Sequence, residues 1–279
     1  MKYLYMLVLF SLLSFCSLST ASTPVAPIKI VSTIKPVALI VAAIAGKGVR
    51  SSQLLPENAS PHHYQLKPSD LRHLITADVI FWIGPDLEIF LKQTLHVLPE
   101  TVKVEALSKS LAKRGEDAHY WLDPIMAGQM GERVHEALVD IDPENSSIYA
   151  KNLKKWKNSL KSLDASISAR LLSQTRPAYI LQHASLDYFE ARYGLSALAL
   201  LNTGAGHRGS VRNLVKVDRL LAQGKASCVL LEPVFPEKLV EQLNISKRSH
   251  IFYFDPMMND GVSYVGQLQK LVSILAKCY

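Results

Sequence analysis

Four side chains suited to holding a divalent transition metal recur at equivalent places along the chain. His62 follows Leu54-Leu55-Pro56 through a short polar loop, and His119 opens His119-Tyr120-Trp121-Leu122-Asp123-Pro124. His183 closes the apolar run Tyr179-Ile180-Leu181-Gln182, and Asp255 closes Ile251-Phe252-Tyr253-Phe254. Each stands where a strand hands over to a loop, the position at which open α/β sheets bind ligands. Neutral imidazole is a good ligand for Zn²⁺, and three histidines completed by a carboxylate or a water give the four-coordinate shell that ion prefers. Taken singly, each histidine fits a surface or capping role equally well; the shared topological position is what groups them. The remaining histidines, at 63, 73, 96, 135, 207 and 250, read mainly as surface or loop residues.

The same donor set also describes a catalytic zinc site, so a secreted zinc hydrolase is the competing class. The zincin pattern His-Glu-x-x-His is absent, because His135-Glu136 is followed by Ala137-Leu138-Val139. No other carboxylate stands out as a general base. Binding without bond-making is the reading these residues favour.

The elements that must position the donors form two blocks in which β-branched runs alternate with helical patterns, the signature of βα units around mostly parallel sheets. The first block runs through strands at Ile28–Thr33, Gln53–Leu55, Val79–Ile83 and Val102–Val104, with helices opened by Pro36 and Pro68 and a third at Leu87–Leu91. From Pro143 to about Gln174 one helical pattern runs without internal Gly or Pro, its apolar side including Ile148, Leu153, Trp156, Leu160, Leu163, Ile167 and Leu171. At 1.5 Å per residue it spans roughly 45 Å, enough for a strut between two lobes. The second block has strands at Ala178–Gln182, Ala197–Leu201, Cys228–Leu231 and Ile251–Phe254, and helices near Asp187–Tyr193, Ser210–Ala222, from Pro236, and at the C-terminus up to Cys278. The predicted fold is therefore α/β: two βα lobes, residues 22–142 and 176–279, joined by one long connecting helix over 143–175.

Lys2, the apolar run from Tyr3 to about Leu18 and the small residues Ser19-Thr20-Ala21-Ser22 have the layout of an export signal, which assigns residues 1–21 to a signal peptide. Bulky Phe15 before Cys16 argues against lipid attachment at that cysteine. Without Cys16 the exported chain keeps Cys228 and Cys278, which an oxidising compartment allows to pair and which could equally be two buried thiols. The formal charge of +7 owes much to Lys151, Lys154, Lys155, Lys157 and Lys161, spaced as the wet face of a helix. No nucleic-acid-binding motif accompanies them, and no nucleic-acid partner is expected.

The ordered motifs resemble a known family. Leu54-Leu55-Pro56 leading into Ala59-Ser60-Pro61-His62-His63-Tyr64, then Leu66-Lys67-Pro68-Ser69-Asp70 and Ile83-Gly84-Pro85-Asp86-Leu87-Glu88, are similar to the zinc-binding proteins of ZnuA type. His119 to Pro124, Gln182-His183 with Asp187-Tyr188-Phe189, Leu231-Glu232-Pro233 and Phe254-Asp255-Pro256 continue the match in order over nearly the whole exported chain. The resemblance implies a solute-binding receptor. With the export signal it is expected in the periplasm, and with no oligomer signal, no zincin pattern and no later apolar span it is expected to be a monomer, not an enzyme, and not inserted in a membrane. Its ligand is Zn(II), delivered to the membrane permease of a zinc ABC transporter. It also implies metal ligands at His62, His119 and His183, Asp255 at the fourth position, and a disulfide between Cys228 and Cys278. Relatives that prefer manganese or iron are the alternative within the fold; manganese-preferring members commonly carry a carboxylate where this chain has His183, and imidazole there points to zinc.

Three departures stand out. Segment 108–118 contains none of the histidines that many zinc members carry in a long loop before the second ligand. His63 occupies a position where relatives often have Asp. Gly206-His207-Arg208-Gly209-Ser210 alters the usual Pro-Gly entry to its helix, which leaves His207 as a surface residue or an accessory metal contact.

Overall fold

The structure is a computed structural model that describes residues 27–57, 59–109, 111–115, 117–172, 177–202, 211–233, 235–242 and 245–278. The expected signal segment, Cys16 and His207 lie outside these residues. Among the described residues no helix is long and apolar enough to cross a membrane.

The first sheet holds β1 (Lys29–Ser32), β2 (Arg50–Gln53), β3 (Val79–Trp82) and β4 (Lys103–Ala106) in the order β2-β1-β3-β4. The second holds β5 (Tyr179–Leu181), β6 (Ala199–Leu200), β7 (Cys228–Leu231) and β8 (His250–Tyr253) in the corresponding order β6-β5-β7-β8. All neighbouring strands run parallel. Parallel strands need crossovers, and helices on both faces bury them. This is why β3 and β7 read as unbroken apolar runs, with all four residues of each buried.

The helices are α1 (Lys35–Ala45), α2 (Pro68–Ile75), α3 (Lys92–Leu95), α4 (Pro124–Ile141), α5 (Ser146–Leu172), α6 (Asp187–Tyr193), α7 (Val211–Ala222), α8 (Glu237–Gln242), α9 (Ile245–Arg248) and α10 (Tyr264–Leu275). The long connecting helix is α5, preceded by a 3-10 turn at Pro143–Asn145. It buries Tyr149, Trp156, Leu160, Leu163, Ile167 and Leu171 on one side. Ile148, expected on that side, is 49% exposed, and Tyr149 takes the inward place one residue later.

The 18-residue α4 is absent from the sequence reading. Gly128 and Gly131 lower its helical propensity, yet the close packing needs one of them. A Cβ on Gly131 would meet Trp156 at 2.7 Å, and the Trp156 indole donates to the Ala127 carbonyl at 3.1 Å. Asp123 starts α4 by accepting from the amides of Ile125 (2.7 Å) and Met126 (3.2 Å), with Pro124 behind it.

The helix expected at Leu87–Leu91 is a 3-10 turn at Ile89–Leu91 that passes into α3. The fully buried Glu88 side chain turns back instead, and one carboxyl oxygen accepts from the amides of Ile83 (2.7 Å) and Gly84 (3.1 Å). β2 ends at Gln53, where a strand was expected to begin, but the amides of Leu54 and Leu55 continue toward β1 through the carbonyls of Ser32 and Thr33. The C-terminal helix stops at Leu275, short of Cys278. A disulfide joins Cys228, at the start of β7, to Cys278, with Cα atoms 5.2 Å apart.

One apolar core runs through both lobes, from Ile30 and Phe81 past Trp121 and Trp156 to Leu230 and Leu268. A smaller cluster around Val217, Val229 and Ile245 fills the outer face of the second sheet.

Candidate metal centre

The loops leaving the strands on the two sheets meet at a cleft of about 330 Å³ lined by His62, His119, His183, Glu232 and Asp255. His62 lies in the loop between β2 and α2, where its amide donates to the Ser60 hydroxyl at 3.3 Å. Two residues on, Tyr64 donates to Asp70 at 2.9 Å and packs edge-on against Phe90, so the loop leans on its own lobe. His119 and His183 are 2% and 8% exposed; His62 is half-buried.

The three imidazoles face one another, with ring centroids 5.7 Å (His62–His119), 6.2 Å (His62–His183) and 5.2 Å (His119–His183) apart. One ligand atom from each lies within 4.8 Å of the other two. The Trp121 ring backs His119 at a centroid distance of 5.0 Å.

Two carboxylates absent from the sequence reading of the site orient these rings. Asp117 Oδ1 is 2.6 Å from His119 Nδ1 and also accepts from the His119 amide at 2.7 Å. Glu232, just after β7, contacts His183 Nδ1. With each Nδ1 facing a carboxylate, Nε2 is left for the cleft, and His183 Nε2 is indeed a buried atom without a hydrogen-bond partner. A carboxylate behind a histidine fixes its tautomer and raises its basicity as a ligand. The orphaned, buried nitrogen fits a metal.

Asp255 lines the same cleft, but the described cluster of metal-competent groups comprises the three histidines. Its Oδ1 accepts from the Met257 amide and its Oδ2 from the Asn259 amide, each at 2.8 Å, so the carboxylate organises the turn after β8. Burial raises its pKa. A carboxylate oxygen has more than one acceptor site, so these bonds leave room for a metal.

The electrostatics divide the histidines. Burial, then the charges that His119 and His183 would carry, lowers the pKa of His62 to about 3, with neighbouring His63 adding to the effect. His62 is neutral and free of competing protons at ordinary pH. Burial pulls the His183 pKa down too, but the hydrogen bond and charge of Glu232 outweigh it, and the net shift is upward.

The fold agrees with what related chains show. The family model described as "ZnuA: Zinc-uptake complex component A periplasmic" matches residues 30–278. The chain belongs to that family. It is 27% identical to the high-affinity zinc uptake system protein ZnuA of Yersinia pestis, over 89% of this chain and 90% of that one. The ZnuA protein of Brucella abortus is 28% identical over 89% of this chain and 91% of its own. Among solved structures, ZnuA itself superposes with a TM-score of 0.81 at 23% identity, covering 90% of this chain and 99% of that chain. The Zn(II)-bound ZnuA-like domain of Streptococcus pneumoniae AdcA gives 0.78 at 22%, covering 90% and 98%. As a family member the chain is a zinc-uptake receptor in class, and the family is not one of enzymes.

Proposed function

We propose that this protein captures Zn²⁺ in the periplasm and passes it to the membrane permease of an ABC importer. His62, His119 and His183 supply three nitrogens, and Asp255 stands at the fourth ligand position. The observation that carries this reading is the convergence of three imidazoles, their donor atoms within 4.8 Å, with two of the rings backed by carboxylates. Residues 1–21 act as the export signal, cleaved near Ala21 without lipid at Cys16. The N-terminal lobe is 22–142, the connecting segment that contains α5 is 143–175 and the C-terminal lobe is 176–279. The protein works as a monomer.

An all-imidazole trio favours zinc over the harder manganese ion. The test is a competition titration of metal-free protein with Zn²⁺ and Mn²⁺ against chelators, for wild type and His183→Ala. One tight zinc site that excludes manganese and weakens by at least two orders of magnitude in the variant is the expected result. Equal or tighter manganese binding would overturn the metal assignment, and an unchanged variant would overturn the ligand set.

A further inference from the structure

Asp117 does more than face His119. Its carboxylate is buried, and its second oxygen, Oδ2, accepts from the backbone amide of Asp187 at 3.0 Å. Asp187 is the first residue of α6, in the other lobe. The same junction is closed by Tyr188, whose hydroxyl donates to the Asp117 carbonyl (3.2 Å) and accepts from the Arg114 amide (2.9 Å). Segment 114–119 belongs by sequence to the first block, yet it is hydrogen-bonded to the first turn of a second-block helix. One buried carboxylate thus holds an imidazole of the metal cluster with one oxygen and the opposite lobe with the other.

From this geometry we infer that Asp117 is a positioning residue that couples zinc occupancy at His119 to the junction between the two lobes. The inference rests on the zinc reading above. Metal on His119 fixes the ring, the ring fixes the carboxylate, and the carboxylate then holds the Asp187 amide more persistently. Coupling of this kind is reciprocal: whatever factor zinc adds to the persistence of the Asp187 bond, that bond adds to zinc affinity. The receptor would thereby carry its loading state from a cleft between the sheets to the start of α6.

The experiment pairs a zinc competition titration with amide hydrogen exchange across the first turn of α6, in metal-free and zinc-saturated protein. In wild type, zinc should slow exchange at the Asp187 amide several-fold. In Asp117→Asn, whose single carbonyl oxygen can face His119 or the Asp187 amide but not both, zinc affinity should fall roughly 10- to 100-fold, as for other partners behind a ligand. At zinc concentrations that saturate this variant, the slowing at Asp187 should vanish. Tyr188→Phe, which keeps the carboxylate, should retain it.

Slowing that survives in Asp117→Asn at saturation, or disappears in Tyr188→Phe, would overturn the inference, since Asp117 would then orient His119 and nothing more. The wild-type measurement stands alone should the Asn variant fail to fold: zinc binding with no change at Asp187 overturns the coupling and leaves the zinc reading intact. Absence of zinc binding by wild type overturns both.

Discussion

Glu88 is fully buried and Glu232 is part-buried at the cleft, and opposite environments give them opposite uses. Glu232 has a partner in His183 and holds its pKa above the ordinary value against the effect of burial. On the proposed zinc reading, protons therefore compete with the metal at His183, whereas the lowered pKa of His62, about 3, keeps protons from competing there. Glu232→Gln removes the main cause of the upward shift and leaves burial to lower the His183 pKa. Zinc affinity at pH 8 should drop roughly 10- to 100-fold through loss of the carboxylate behind the ring. Its decline between pH 8 and 6 should become shallower than in wild type; chelator competition over that range reads both effects. Burial raises the pKa of Glu88 to about 7 despite the hydrogen bonds it accepts from the Ile83 and Gly84 amides. A carboxyl whose folded pKa is raised adds stability below its unfolded pKa, and that stability is lost as pH rises through the folded value. The loss amounts to at most about 3 kcal/mol between about pH 4.5 and 7. Glu88→Gln keeps an acceptor for the Ile83 and Gly84 amides and cannot ionise, so denaturant unfolding should show this part of the pH dependence flattened. An unchanged profile would mean that Glu88 is already ionised in the native protein.

Helices α4 and α5 show how far the sequence can be read. α5 was legible because its apolar residues keep helical spacing with no Gly or Pro to interrupt them. α4 was not, because its glycines read locally as weakness and make sense only against Trp156, 25 residues downstream of Gly131. Gly131→Ala should cost roughly 1–3 kcal/mol by overpacking that seam, seen as a lower unfolding midpoint in denaturant. No change in the midpoint would show that the indole can move aside at little cost. The strands β3 and β7 were legible for a simple reason: burial on both faces leaves an apolar run that no surface pattern imitates. The three histidines were legible because each comes after a strand in chain order, although only His183 follows a fully buried apolar run; the strands before His62 and His119 are part-exposed. Glu232 escaped as a site residue because its partner His183 lies 49 positions away. Asp117, only two positions before His119, escaped because proximity in sequence does not show that its carboxylate turns onto that ring; its bond to the Asp187 amide, 70 positions on, has no local signal at all. Ile148 shows the limit within a correctly read element, where a helix of the right extent still leaves its first-turn orientation to tertiary packing.

The two sheets share one strand order, which places their ligand-bearing loops at the same cleft, and the lobes share one continuous core. Hydrogen bonds tie the lobes together beside the metal cluster: the Trp121 indole donates to the Pro256 carbonyl at 2.7 Å, and the Tyr264 hydroxyl to the Trp121 carbonyl at 2.6 Å. Arg192 adds an ion pair with Asp123 at 2.8 Å. The second lobe is further closed by the Cys228–Cys278 bridge across a separation of 50 residues. A loop of that length is credited with roughly 4 kcal/mol by restricting the unfolded chain. The Cys228→Ala/Cys278→Ala double variant should therefore unfold at clearly lower denaturant concentration, with zinc affinity within a few-fold of wild type because the bridge lies away from the histidines. A large loss of zinc affinity would instead mean that the bridge shapes the cleft.

The tilted packing of the Trp121 ring against His119 has an optical consequence. An imidazolium quenches the emission of an adjacent indole far more than a neutral ring does, and a bound metal alters it again. Trp121 is fully buried and touches the metal cluster through His119, whereas Trp156 lies in the α4–α5 seam and Trp82 in β3. The protein thus carries its own fluorophore beside one of the three rings proposed to hold the cargo, and on that reading its loading can be followed by light without attaching a dye.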